Sequence, residues 1–146
     1  MIDQCPECGA PQAVNQTCRD HFHQMLFWEN EDPARWKVHH LMVLCYHLQH
    51  PGLYSAEGLA FSRQLLIDFI ERGSSPESAR RRGQGHVDSG KRDWSITARP
   101  GNQGSYDRPI AWTMTAADVV GNGAETYCTS VRSWARSIND SLGQRE

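Results

Sequence analysis

The segment Cys5-Pro6-Glu7-Cys8-Gly9 sets two thiols two residues apart in a turn shaped by proline and glycine. Two thiolates at this spacing can close on one metal ion, and Gly9 can take the positive φ that such a turn often needs. The rival reading is a thioredoxin-like redox pair. That motif is expected at the start of a helix in a βαβ setting, whereas this pair stands ahead of a run of helical sequence. The pair is therefore read as half of a metal knuckle.

The totals narrow what such a knuckle can serve. The 146 residues carry 15 basic and 17 acidic side chains, a net charge of −2, which gives no electrostatic case for general nucleic-acid or membrane binding. The basic cluster Arg80-Arg81-Arg82 is short and reads as solvated surface. No apolar run approaches the roughly 20 residues needed to span a bilayer. Met1-Ile2-Asp3-Gln4 has neither a basic n-region nor an apolar h-region, so no signal peptide and a cytoplasmic location are expected. Five cysteines, an odd number, then favour reduced thiols and metal ligation over a disulfide framework. The chain is long enough to bury a core as one domain over 1–146.

The apolar spacing predicts a mainly α fold with little or no sheet. Residues 1–16 form the knuckle and a linker. A helix is expected over 17–30, capped by Thr17 with Asp20 three residues on, and striped by Cys18, Phe22, Met25, Leu26 and Glu29. Asp32 can cap the next helix, with Pro33 at its first position and Pro51-Gly52 as its stop. This second helix, 33–50, is apolar on two adjoining sides: Trp36, Val43 and His47 on one, Leu41, Leu44, Cys45 and Leu48 on the other. A third is expected over 56–72, with a helical turn after Ser75-Pro76. Residues 83–112 read as an irregular excursion held by Trp94, Ile96, Tyr106, Ile110 and Trp112, with a short strand at Trp94 to Thr97. Thr115 can cap a short helix over 116–120. The last helix, 124–142, places Tyr127, Val131, Trp134 and Ile138 on one stripe, and Cys128 is read as core.

Zinc takes about four tetrahedral thiolate and imidazole ligands. Cys5 and Cys8 supply two. Cys18 opens the first helix nine residues after Gly9 and is the third candidate, its alternative being a small core residue. The fourth stays open on spacing. Cys18-Arg19-Asp20-His21 is a local C-x-x-H. An antiparallel hairpin of the first two helices would bring positions near 45 level with Cys18, with His47 and His50 within a turn. His39 and His40 lie roughly 15 Å before His50 along a straight helix. They are read as buried structural histidines or as part of a second metal site with His23 or with the acidic Glu29 and Glu31.

These residues resemble a family of small bacterial proteins of unknown function. The resemblance rests on Cys5-Pro6-Glu7-Cys8-Gly9, Cys18, Val38-His39-His40-Leu41, Gln49-His50-Pro51-Gly52, Ala117-Asp118-Val119-Val120 and Val131-Arg132-Ser133-Trp134-Ala135. It spans nearly the whole chain, with residues 83–112 matching weakly. It implies that Cys5, Cys8, Cys18, His39 and His50 belong to the family pattern and His21 does not, which selects Cys5, Cys8, Cys18 and His50 as the metal set. It implies no activity.

Three functions follow from a site of this kind. A filled four-ligand zinc leaves no place for water and fits a braced helical protein that acts by binding a protein partner. A metal-dependent hydrolase in a helical bundle would need an open position and a base, for which His39, His47 or Glu29 are candidates. A thiol redox sensor would use the oxidation of the same sulfurs. The sequence contains no H-E-x-x-H, nucleophile elbow or phosphate loop.

Overall fold

The computed structural model describes residues 3–12, 16–71, 103–106 and 110–143. Two short antiparallel strands, β1 (Asp3–Gln4) and β2 (Pro11–Gln12), precede helix α1 (Cys18–Glu31). A 3₁₀ segment (Pro33–Val38), helix α2 (His39–Gln49) and a 3₁₀ turn (Pro51–Leu53) follow. Helices α3 (Ala56–Glu71), α4 (Ala116–Gly121) and α5 (Tyr127–Gly143) complete the described elements, with a 3₁₀ turn at Ala124–Thr126 before α5. The fold is mainly helical, as the periodicity predicts. The hairpin pairs Asp3 with Gln12 and Gln4 with Pro11. Strands of two residues carry no alternation to read, so the sequence offered no sign of it.

Helix α1 starts where its cap dictates. The Thr17 hydroxyl accepts the Asp20 N–H at 3.2 Å, and the Asp20 carboxylate accepts the Thr17 N–H at 3.0 Å, so two otherwise orphaned donors are satisfied. Asp32 ends α1, and its carboxylate accepts the Ala34 N–H at 3.0 Å to start the next element. The single helix expected over 33–50 divides there. Its first six residues wind as 3₁₀, at about three residues per turn, and only His39 onward is α-helical. The tighter winding shifts the phase of the stripe, so Trp36 faces outward at 46% exposure while Val38 is buried.

The core gathers on α5. Tyr127, Val131, Trp134, Ala135, Ile138 and Leu142 are fully enclosed or nearly so, and α5 packs on α2 and α3. Each large side chain in that stripe contributes roughly 1.5–3 kcal/mol through burial. Cys128 lies beside this stripe and is only half-buried. Gln49 is the polar pin of the interface: its amide donates to the Met114 carbonyl at 2.7 Å and its oxygen accepts the Trp134 indole N–H at 3.1 Å.

The end of α2 is clamped from a distant part of the chain. Gln103 bridges Ser55, and Gly104 donates its N–H to the Tyr54 carbonyl at 2.8 Å. A Cβ on Gly104 would come within 3.2 Å of the Pro51 and Ser55 carbonyl oxygens, so this approach needs glycine. Tyr106 donates its hydroxyl to the Leu48 carbonyl and packs edge-on against Trp112. It is thus an inward anchor of the excursion. The arginine cluster at 80–82, the helical turn after Ser75-Pro76 and the strand at Trp94 to Thr97 lie outside the described residues.

Removing the Gln49 amide without removing its partners should be costly. Gln49→Leu would leave the Trp134 N–H and the Met114 carbonyl buried and unpaired, a loss of about 3 kcal/mol. Urea denaturation followed by tryptophan fluorescence should read that loss, and a midpoint matching wild type would contradict the pin.

Candidate metal centre

The knuckle is a hairpin turn with its sulfurs turned inward. Between β1 and β2, Cys5 donates its N–H to the Ala10 carbonyl at 2.8 Å, and Gly9 donates to the Cys5 carbonyl at 2.8 Å. Gly9 sits at φ +79°, the left-handed region that a side chain would strain. Cys5, Cys8 and Ala10 are buried while Pro6, Glu7 and Gly9 face solvent.

Helix pairing supplies the other two groups. The Thr17 cap makes Cys18 the first helical residue of α1, at the end where α2 terminates. His50 closes α2 with its ring stacked on Tyr46, centroids 4.3 Å apart. Its Nδ1 lies 2.6 Å from the Tyr46 carbonyl oxygen. A carbonyl can only accept, so the hydrogen is on Nδ1 and in the neutral ring Nε2 carries a bare lone pair. That Nε2 is fully buried and has no hydrogen-bond partner among the described residues.

The four ligand atoms of Cys5, Cys8, Cys18 and His50 all lie within 4.8 Å of one another, and the Cys8 and Cys18 sulfurs are 3.5 Å apart. A tetrahedral ion with arms near 2.3 Å would hold its ligands about 3.8 Å apart, so small adjustments close this group on one ion. The chain thus presents a Cys₃His group placed to hold a metal. All four residues are at most 8% exposed. Glu7 fastens the knuckle to the loop after His50, its carboxylate accepting the Gly52 N–H at 2.9 Å.

The protonation pattern follows from this crowding. The hydrogen bond between the Cys8 and Cys18 sulfurs, despite burial, holds the Cys8 thiol down to about 4 and pushes Cys18 up. Burial disfavours charge on His50, but the Cys8 sulfur and the Tyr46 carbonyl outweigh it and raise its pKa.

The other candidates go elsewhere. His21 lines a cleft of about 420 Å³ with Asp20, Gln24, Ala117 and Val120, and burial lowers its pKa. His47 packs edge-on against Tyr54, and burial brings its pKa down to about 4, so it stays neutral. Cys45 is enclosed in the core, which pushes its thiol up. Glu29 lies eleven residues along α1 from Cys18, and His39 eleven residues before His50 on α2, about 16 Å in each case. The contributions of Tyr46 and Glu7 were not recognised in the sequence. Tyr46 had a readable signal, because residue i−4 of a helix offers its carbonyl to a side chain at the helix end. Glu7 had none, since its partner is a backbone group 45 residues away.

No curated protein matches the chain, and no solved structure matches it. Comparison with protein families gives one that covers residues 3–143, described as a family of unknown function, DUF5946. That span takes in the knuckle, both helices that carry ligands and the whole of the packed core, and the chain belongs to this family.

Proposed function

We propose that the Cys₃His group binds one zinc ion as a closed structural brace, and that the protein acts by presenting a surface to a protein partner. The observation that carries this reading is the His50 imidazole. An enclosed nitrogen with a fixed lone pair, aimed at three cysteine sulfurs, has no favourable use without a cation. Three sulfurs and one imidazole suit zinc in composition and geometry.

Burial supports a brace over a catalyst. With every ligand nearly enclosed, no face of the ion is left for water. Glu29 and His39, two of the residues that could have served as a base, stand at the other end of α1 and α2. The hairpin also needs a brace, because strands of two residues with, among the described side chains, only Cys5, Cys8 and Ala10 buried cannot hold together by packing. With zinc bound, residues 3–12, the start of α1 and the 51–53 turn become one unit. Leu53 is 43% exposed on that unit, and Phe27 is 57% exposed on α1; these are the apolar groups we assign to partner contact.

The purified protein should contain about one zinc per chain by elemental analysis. Cys5→Ser, Cys18→Ser and His50→Ala should each lose most of it, whereas Cys45→Ser and His21→Ala should keep it. Equal zinc in all five variants would overturn the assignment. Binding should weaken on acidification, since protons compete for three thiolates and the His50 nitrogen. Each proton displaced adds about a tenfold loss of affinity per pH unit. Chelation at neutral pH should raise hydrogen exchange across residues 3–12 while the amides of α5 stay protected, because the core does not depend on the ion.

A further inference from the structure

The end of the bundle opposite the knuckle holds a second group of polar residues that the metal does not explain. Glu29 is wholly enclosed on α1. One of its oxygens accepts the Tyr127 hydroxyl at 2.5 Å, and the other lies 2.6 Å from His39 Nδ1. Three helices converge here: Glu29 from α1, His39 at the start of α2 and Tyr127 at the start of α5. A buried carboxylate is costly unless its oxygens are bonded and its charge is met. Tyr127 gives a neutral hydrogen bond, since burial and the Glu29 charge both drive its phenol pKa up. His39 is the ring that meets the other Glu29 oxygen.

His39 differs from a merely structural histidine in what its second nitrogen does. With the hydrogen of Nδ1 on Glu29, Nε2 holds a lone pair. It has no hydrogen-bond partner among the described residues, and it is not enclosed. The His39 side chain is 21% exposed. The half-exposed Trp36 lies beside it, ring centroids 4.6 Å apart. A carboxylate behind an imidazole fixes its tautomer and orients the far nitrogen. The 3₁₀ winding that turned Trp36 outward has thus placed a flat apolar surface next to an oriented, partly open imidazole.

We propose that His39, positioned by Glu29, is the general base of a second site, which takes a substrate that lays a flat apolar group on Trp36 and carries an acyl carbon open to attack by water. In the reaction His39 Nε2 accepts a proton from water as the water oxygen bonds to the acyl carbon. The proton then passes to the leaving oxygen as the acyl–oxygen bond breaks. No oxidant, reductant or metal takes part, and the site stands independently of the zinc brace.

Two probes test this. Diethyl pyrocarbonate at neutral pH, with modification followed at each histidine by peptide mass spectrometry, should mark His39 faster than His23 and His40, which are both more exposed. Glu29→Gln, which keeps the shape of the side chain, should slow His39 about tenfold and leave His23 and His40 unchanged. The aryl ester p-nitrophenyl acetate should be hydrolysed at least about tenfold more slowly by His39→Gln, whose amide can still donate to Glu29. Zinc content and circular dichroism should match wild type in His39→Gln, which separates this site from the brace. The wild-type ranking of histidines needs no variant, so it stands even if Glu29→Gln fails to fold. Reactivity of His39 no greater than that of His40, or ester hydrolysis unchanged in His39→Gln, would reduce the three residues to a clip between helices.

Discussion

The hydrogen bond from His50 Nδ1 to the Tyr46 carbonyl decides what the N-terminal half of this protein can be. It settles the tautomer, turns Nε2 toward the three sulfurs and leaves that nitrogen buried without a protein partner. The other parts converge on the same point. The Thr17 cap places Cys18 at the first turn of α1, the positive φ of Gly9 closes the knuckle, and Glu7 holds the loop after His50. The clamp through Gly104 and Tyr106 fixes the end of α2, where His50 sits. Together these contacts surround candidate ligand atoms that lie within 4.8 Å of one another.

The two ends of the α1–α2 pair have different chemistry. One end gathers three cysteine sulfurs and an imidazole in a nearly enclosed group. The other sets a buried carboxylate behind a half-open imidazole beside an exposed indole. Both depend on the same antiparallel placement of α1 and α2, which sets Cys18 near His50 and Glu29 beside His39. The α5 stripe holds that register through Gln49 and Trp134 near one end and Tyr127 at the other.

Features set by local chemistry were legible in the sequence. The Thr17–Asp20 capping box, the Pro33 start, and the Tyr127–Val131–Trp134–Ile138 stripe each state their geometry within a few residues. The cysteines of the knuckle were legible for the same reason, and hairpin arithmetic brought His50 within reach before the resemblance to a family selected it. What stayed hidden depends on tertiary contacts. The hairpin strands have no period, and the change to 3₁₀ winding at Pro33–Val38 leaves a helix-compatible pattern that conceals the outward turn of Trp36. Glu29 read as a stripe position, a candidate base or a second-site partner of His39, but its enclosure between His39 and Tyr127 appears only when the three helices meet.

X-ray absorption at the zinc edge tests the central claim most directly. The account predicts three sulfurs at about 2.3 Å and one imidazole nitrogen at about 2.0–2.1 Å, with no water in the shell. A shell containing an exchangeable oxygen, or one with fewer than three sulfurs, would contradict the closed Cys₃His brace.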